Sequence, residues 1–124
     1  MKLFLTIGAI SGALAVLLGA FGAHLLKQMI SPEMLEVYKT GVQYQFYHTF
    51  ALLVTGILMK YHPTQTLKWS GYLFIAGITI FSGLLYLLAI TGIKSLGMIV
   101  PIGGLALVAG WICLLIHSLN IKSL

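Results

Sequence analysis

The chain has 124 residues, of which 60% are hydrophobic and 7% are charged, with a formal net charge of +5 from seven lysines and two glutamates. A soluble domain carries charges on about a quarter of its residues, so this composition excludes an ordinary water-soluble fold. The lysines are scattered singly and arginine is absent, which argues against a nucleic-acid partner and leaves the lipid bilayer as the expected one.

Four long apolar stretches account for nearly all of the sequence: 3–26, 42–59, 67–90 and 98–119. Each has the ~20 residues with which a helix crosses ~30 Å of hydrocarbon, and none alternates as a barrel strand does. Short connections favour antiparallel neighbours. The sequence therefore predicts an all-α polytopic membrane protein, in which residues 1–124 form a single antiparallel bundle of four transmembrane helices.

The first stretch carries small residues on one helix face, namely Gly8, Gly12, Ala15, Gly19 and Gly22. This spacing lets another backbone approach closely, so we expect a packing seam of the bundle, with a homodimer face as the alternative. Lys2 before an apolar run also fits a secretory signal. The run is longer than the ~7–15 apolar residues of such a signal, which favours a retained span.

The second stretch is the least lipid-like. Ser31 followed by Pro32 indicates a helix start, because the hydroxyl can cap and proline is tolerated at the first helical position. One broad arc of this helix is polar or small, and it consists of Gly41, Tyr44, Gln45, His48, Thr49, Thr55 and Gly56. We expect this arc to face protein or water, because the opposite arc is apolar.

His48 carries the sharpest functional hypothesis, because an ionisable residue inside a membrane helix marks a possible site. It can exchange a proton near neutral pH and can ligate metal or haem. The ordinary alternative is a neutral His48 that hydrogen-bonds a neighbouring helix, with Tyr44 and Gln45 completing a polar clasp. His24 is expected at the membrane interface, and only if it met His48 would the two ligate haem.

Helices three and four add further candidates. Ser82 and Tyr86 lie one turn apart and complete the candidate polar cluster, although helix packing explains them equally well. Trp111 is expected to pack into a glycine-lined gap. The glycines expected to pack in the fourth helix are Gly103, Gly104 and Gly110.

Orientation follows weakly from the lysines. Four spans place both termini and the 60–68 loop on one side, with four lysines against three on the other. Positive charge favours the cytoplasmic side, so cytoplasmic termini are slightly preferred.

Motifs for catalysis are missing from the sequence. There is no P-loop, Ser-His-Asp set or HExxH motif, and both glutamates lie outside the apolar stretches. No buried carboxylate is thus expected for acid–base chemistry. Cys113 is the single cysteine and can form neither an intrachain disulfide nor a thiolate cluster. We expect no enzyme activity, no cofactor and no metal.

Short motifs, one set per helix and in order, resemble a known family: GAFGAH at 19–24, YQFYH at 44–48, FSGLLY at 81–86, and PIGG at 101–104 with GW at 110–111. This is the small bacterial membrane-protein family of unknown function that includes YgdD and YwdK and is related to transmembrane protein 256. The resemblance implies a four-span protein of the bacterial plasma membrane with no assigned reaction. Leu84 and Val100 stand where the family pattern leads us to expect serine and threonine.

Three functions are compatible with the sequence. The first is a non-catalytic protein that stabilises the envelope or packs with a partner, either a second copy or another membrane protein. The second is a small-solute or proton pathway lined by the polar face of helix two. The third, haem or metal binding by His24 and His48, has the least support.

Overall fold

The computed structural model describes residues 1–122, and this part of the chain is helical with no β-strand. Its helices are α1 Lys2–His24, α2 Pro32–Tyr61, α3 Gln65–Thr91 and α4 Val100–Asn120. Short 3₁₀ turns at Leu26–Gln28 and Lys94–Met98 lie between α1 and α2 and between α3 and α4. The predicted all-α class is confirmed.

Three helices are long and apolar enough to cross a membrane. With the adjoining turns they are Lys2–Gln28, Gln65–Thr91 and Lys94–Asn120, of 27 residues each. The second predicted span is not among them, because α2 is the least hydrophobic of the four helices, although its 30 residues make it the longest α-helix.

The start of α2 lies where the sequence predicts it. The Ser31 side chain accepts a hydrogen bond from the Met34 N–H at 3.2 Å, and Pro32 occupies the first helical turn. The helix ends at Tyr61, with His62 and Pro63 following in the turn to α3. Gly92 ends α3 in a left-handed conformation, with φ of 72°, which glycine adopts at little cost.

The small-residue stripe of α1 faces α2. A Cβ built on Gly8 would lie 2.6 Å from a Leu53 methyl, and one on Gly22 would lie 2.5 Å from the Tyr38 ring. Ala15 is fully buried between them. Gly12 and Gly19 make looser approaches to Thr49 and Val42. The absence of side chains on this face lets the two helices pack closely along much of α1.

Each helix contributes to a central apolar core. Phe4, Leu52, Phe74 and Leu107, one from each helix in order, are buried together. α1 packs along α2, α2 packs against α3, and α3 packs against α4. The opposite surfaces of the helices are apolar and exposed, as lipid-facing surfaces are. Among the most exposed side chains there are Leu17, Phe50, Leu105 and Leu119.

The middle of α3 contains one π-helical segment, Ile78–Ser82, between α-helical Gln65–Gly77 and Gly83–Thr91. The Gly83 N–H donates to the Ile78 carbonyl five residues back. Such wide turns often occur at functional sites. Here the turn brings the Phe81 backbone against α4, where a Cβ on Gly103 would lie 2.5 Å from the Phe81 nitrogen.

Candidate functional site

Most of the predicted polar arc of α2 lies inside the helix assembly. Gln45, His48 and Thr49 are each at most 6% exposed, and Thr55 is fully buried. His48 and Thr49 lie three and four residues after Gln45, and Thr55 lies seven residues after His48, so all four follow one face of the helix. The polar groups at this face need partners, because hydrocarbon supplies none.

Gln45 connects three helices. Its amide nitrogen donates to the Ser11 carbonyl of α1 at 2.8 Å, and its amide oxygen accepts from the Tyr86 hydroxyl of α3 at 2.5 Å. The Ser11 hydroxyl in turn lies 2.7 Å from the hydroxyl of Thr49. The structure thus brings Gln45, Thr49 and Tyr86 together, as the predicted cluster requires, and adds Ser11.

Ser82 extends the contact between α3 and α2. Its hydroxyl donates to the Gly41 carbonyl at 2.7 Å. The nearby Tyr86 ring packs on Tyr38, with ring centroids 5.2 Å apart. The Tyr38 hydroxyl donates to the Leu18 carbonyl of α1 at 2.5 Å. Side chains from α2 and α3 thereby add a second hydrogen bond to backbone oxygens that already lie within helices, near the end of α1.

His48 lies beside α4 and uses both ring nitrogens. Nδ1 is 2.7 Å from the Tyr44 carbonyl oxygen, and Nε2 is 3.0 Å from the indole nitrogen of Trp111. Indole N–H only donates, so Nε2 must accept and the ring proton must lie on Nδ1, which donates to Tyr44. The arrangement holds a neutral imidazole, because a proton on Nε2 would face the indole proton.

Trp111 borders a groove between α2 and α4, whose lining includes Gly104. It is 45% exposed, and its ring stands edge-on to the rings of His48 and Phe74 at 5.9 and 5.3 Å. It stays at the surface because the glycine at the preceding position, Gly110, packs against Phe74 instead. The neighbouring predicted packing glycine, Gly104, lies near the Phe81 ring.

Two members of the predicted cluster lie outside the buried arc. Tyr44 is 39% exposed. Its ring stacks on His48 with centroids 5.9 Å apart and packs at a tilt against Phe81 at 4.7 Å. Its position on α2 turns it toward the flank of the inner face, so its carbonyl rather than its phenol joins the network. His24 is exposed at the end of α1.

The pairing of His24 with His48 does not occur. His24 lies 13 residues after Ser11 on α1, which is ~20 Å along the helix axis. Ser11 contacts Thr49, the neighbour of His48, so the two histidines lie at different depths. Among residues 1–122 there is also no group of three or more His, Cys, Asp or Glu side chains placed to hold a metal ion.

Two grooves flank the polar arc. One, of about 310 Å³, lies between α1 and α3; its lining is mostly apolar and includes Ser11, Gln45 and Tyr86. The other, of about 450 Å³, lies between α2 and α4 and is bordered by His48 and Trp111. The two grooves share no lining residue, so in the described part of the chain they are separate.

Ser11 and Trp111 are the site residues that the sequence reasoning missed. Ser11 is the single polar side chain between Ile7 and Ala23, which is a detectable signal, because a buried hydroxyl needs a partner. Trp111 carries an N–H donor with the same requirement.

Comparison with known proteins supports the resemblance seen in the sequence. A family model described as protein of unknown function (DUF423) matches residues 18–104. The UPF0382 membrane protein SAB0533 of Staphylococcus aureus (strain bovine RF122 / ET3-1) is 47% identical over 118 residues, which cover 95% of this chain and 96% of the relative. The UPF0382 membrane protein YwdK of Bacillus subtilis (strain 168) is 45% identical over 121 residues, with 97% and 98% covered.

No solved structure matches the chain. The family match covers more than half of the sequence, and the relatives match it nearly from end to end. Their names agree with the three helices that can cross a membrane. The chain therefore belongs to the DUF423 family of membrane proteins, whose function is unknown, as the resemblance to YwdK had implied.

Proposed function

We propose that this protein is a non-catalytic, four-span protein of the bacterial plasma membrane with a structural or accessory role, which stabilises the envelope or packs with a partner. One observation carries the proposal. Three buried polar side chains of α2, those of Gln45, Thr49 and His48, are bonded to α1, α3 or α4, whereas Thr55 donates to the Ala51 carbonyl of its own helix. Groups engaged in this way hold helices together, and no pathway is required to explain them.

The proposal includes α2 as the fourth span. Residues 40–59 contain no charged side chain, and 20 helical residues reach ~30 Å, the thickness of the hydrocarbon layer. The buried polar face explains why α2 is less hydrophobic than its neighbours. Its outward face presents Phe50, Val54 and Ile57, all exposed. Four spans would place both termini on one side, and the lysine count favours the cytoplasm.

The apolar outer surfaces support the accessory role. Leu17, Leu105 and Val108 are more than half exposed on α1 and α4. Such surfaces contact lipid, and in a membrane they can also pack against another copy or another membrane protein. The proposal assigns no cofactor and no reaction.

A proton or small-solute pathway is the second candidate, because His48 borders the open groove between α2 and α4. A proton pathway requires His48 to exchange protons, whereas a structural role requires only the hydrogen bonds of His48. His48→Gln separates the two, because the amide can still accept from Trp111 but does not titrate near neutral pH.

The experiment measures proton flux in proteoliposomes and envelope integrity in cells. We expect wild-type flux equal to that of empty liposomes. Deletion of the gene should raise uptake of an impermeant dye, and wild type and His48→Gln should both reverse this. The exposed His24→Gln serves as the matched control. Flux above empty liposomes that His48→Gln abolishes and His24→Gln preserves would establish the pathway instead. An unchanged envelope on deletion would oppose the structural role.

A further inference from the structure

A second polar site lies at the end of the helix assembly, away from the α2 network. A cavity of about 270 Å³ is bordered by the turn between α2 and α3 and by the end of α4. Polar or ionisable side chains dominate its lining, and they are His62, Thr64, Thr66, His117, Asn120 and Lys122. Among residues 1–122, no side-chain carboxylate lines the cavity. Both glutamates of the chain lie in the first turns of α2, at the other end of that helix.

His117 is the informative residue. Its side chain is 97% buried, being only 3% exposed, and its Nδ1 lies 2.9 Å from the Thr64 hydroxyl oxygen. That oxygen already accepts the Leu67 N–H at 3.1 Å as the cap of α3. We assign the Thr64 hydroxyl proton to Nδ1, the acceptor within reach, and this assignment places the imidazole proton on Nε2.

The Nε2 atom of His117 has no hydrogen-bond partner, although it is buried. Among residues 1–122 it is the single buried side-chain nitrogen or oxygen in this condition. A buried donor without an acceptor is costly, and native structures rarely leave one. The site therefore needs a hydrogen-bond acceptor that residues 1–122 do not supply.

Other donors converge on the same cavity. The first turn of α3 begins there. Its Leu67 and Lys68 N–H groups are used by Thr64, which leaves the N–H of Thr66, a residue of the cavity lining, for a ligand. The positive end of the helix dipole favours an anion at this position. Lys122 adds a formal positive charge. A group with several negative oxygens satisfies all of these donors together.

We infer that this cavity binds a phosphate group, held by the His117 Nε2–H, the N-terminus of α3 and Lys122. Phosphate fits because it offers several acceptor oxygens to donors that approach from different sides. Two sources share this chemistry, a phospholipid headgroup and a free phosphate. The neighbouring Tyr61 and Trp69 are 65% and 56% exposed, and aromatic residues of this kind lie at the membrane interface, where headgroups are.

The test uses the full chain purified in an uncharged detergent. One arm adds inorganic phosphate and follows the ¹⁵N signals of the histidine rings. The other adds short-chain phosphatidic acid and counts retained lipid by native mass spectrometry. We expect saturable binding of one ligand per chain and a shift of the His117 Nε2 signal. Binding of lipid alone assigns the headgroup, binding of inorganic phosphate alone assigns the free ion, and either supports the site.

Variants identify the donors. Lys122 is exposed, so Lys122→Gln should leave the fold intact. We expect this variant to bind phosphate roughly tenfold more weakly than wild type. His117→Gln should weaken binding further. Lys27→Gln is the matched control, because Lys27 is an exposed lysine in the turn between α1 and α2, at the opposite end of the helix assembly. The inference is overturned if neither probe binds or if the two site variants bind like wild type. It is also overturned if Zn²⁺, and neither phosphate probe, shifts the His117 ring signals. The result does not depend on whether the α2 network is a scaffold or a pathway.

Discussion

The indole N–H of Trp111 donates to Nε2 of His48 across 3.0 Å and so joins α4 to α2. With Nδ1 bonded to the Tyr44 carbonyl, this contact holds the imidazole neutral and in one orientation. The only histidine in the buried arc of α2 is thus fixed from both sides, and its bonds are of a kind that stabilises helix packing.

Trp111→Phe should weaken the fold modestly. The phenyl ring preserves the contact with Phe74 but leaves His48 Nε2 without its donor, so we expect a loss of about 1 kcal/mol in unfolding free energy, the size typical of interhelical hydrogen bonds in membranes. Unfolding in mixed micelles measures it. Trp69→Phe, at an exposed tryptophan, is the control and should change little. Equal effects of the two variants would contradict the role of the bond.

Gln45→Leu should be more disruptive than Trp111→Phe, because Gln45 bonds both α1 and α3. Removal of the amide leaves the Tyr86 hydroxyl without its acceptor and takes the second hydrogen bond from the Ser11 carbonyl, which keeps its intrahelical bond within α1. We expect a loss of about 2 kcal/mol. Gln43→Leu, at an exposed position on the same helix, is the matched control. A double-mutant cycle with Tyr86→Phe should give a coupling near ~1 kcal/mol, whereas additive effects would show that the bond contributes nothing.

Two adjacent glycines of α4 should respond differently to alanine. A Cβ on Gly103 would lie 2.5 Å from the backbone nitrogen of Phe81, which no rotamer change can relieve, whereas one on Gly104 would lie 3.7 Å from the Phe81 ring. We expect Gly103→Ala to destabilise by about 1–3 kcal/mol. Gly104→Ala should be neutral or slightly stabilising. Thermal unfolding in detergent compares them, and equal stabilities would argue against the close approach of α3 and α4.

The helix boundaries were predictable because short-range chemistry sets them. Ser31 and Pro32 begin α2, the turn at Pro63 follows its end, and Gly92 ends α3, each for reasons that act within a few residues. The glycine stripe of α1 could also be predicted from the sequence, since small residues on one face leave room for a neighbouring backbone. These features concern one helix at a time.

Pairings between helices were not predictable in the same way. The partner of His48 lies 63 residues away and the partner of Thr49 lies 38 residues away, and helical periodicity does not state which helices become neighbours. Tyr44 shows a related limit, because it lies at the margin of the polar arc and the packing of α4 decides its exposure. The π-helical turn in α3 likewise depends on tertiary contacts.

Cysteine labelling from the two sides of the membrane determines whether α2 is the fourth span. Gln28→Cys and Gln65→Cys place exposed thiols just before and just after α2, in a Cys113→Ala background that removes the single native cysteine. If α2 crosses the membrane, an impermeant maleimide added outside intact cells labels one of the two positions, and the other is labelled only after the cells are permeabilised. Labelling of both from the same side would show that α2 does not cross and would contradict the proposed fourth span.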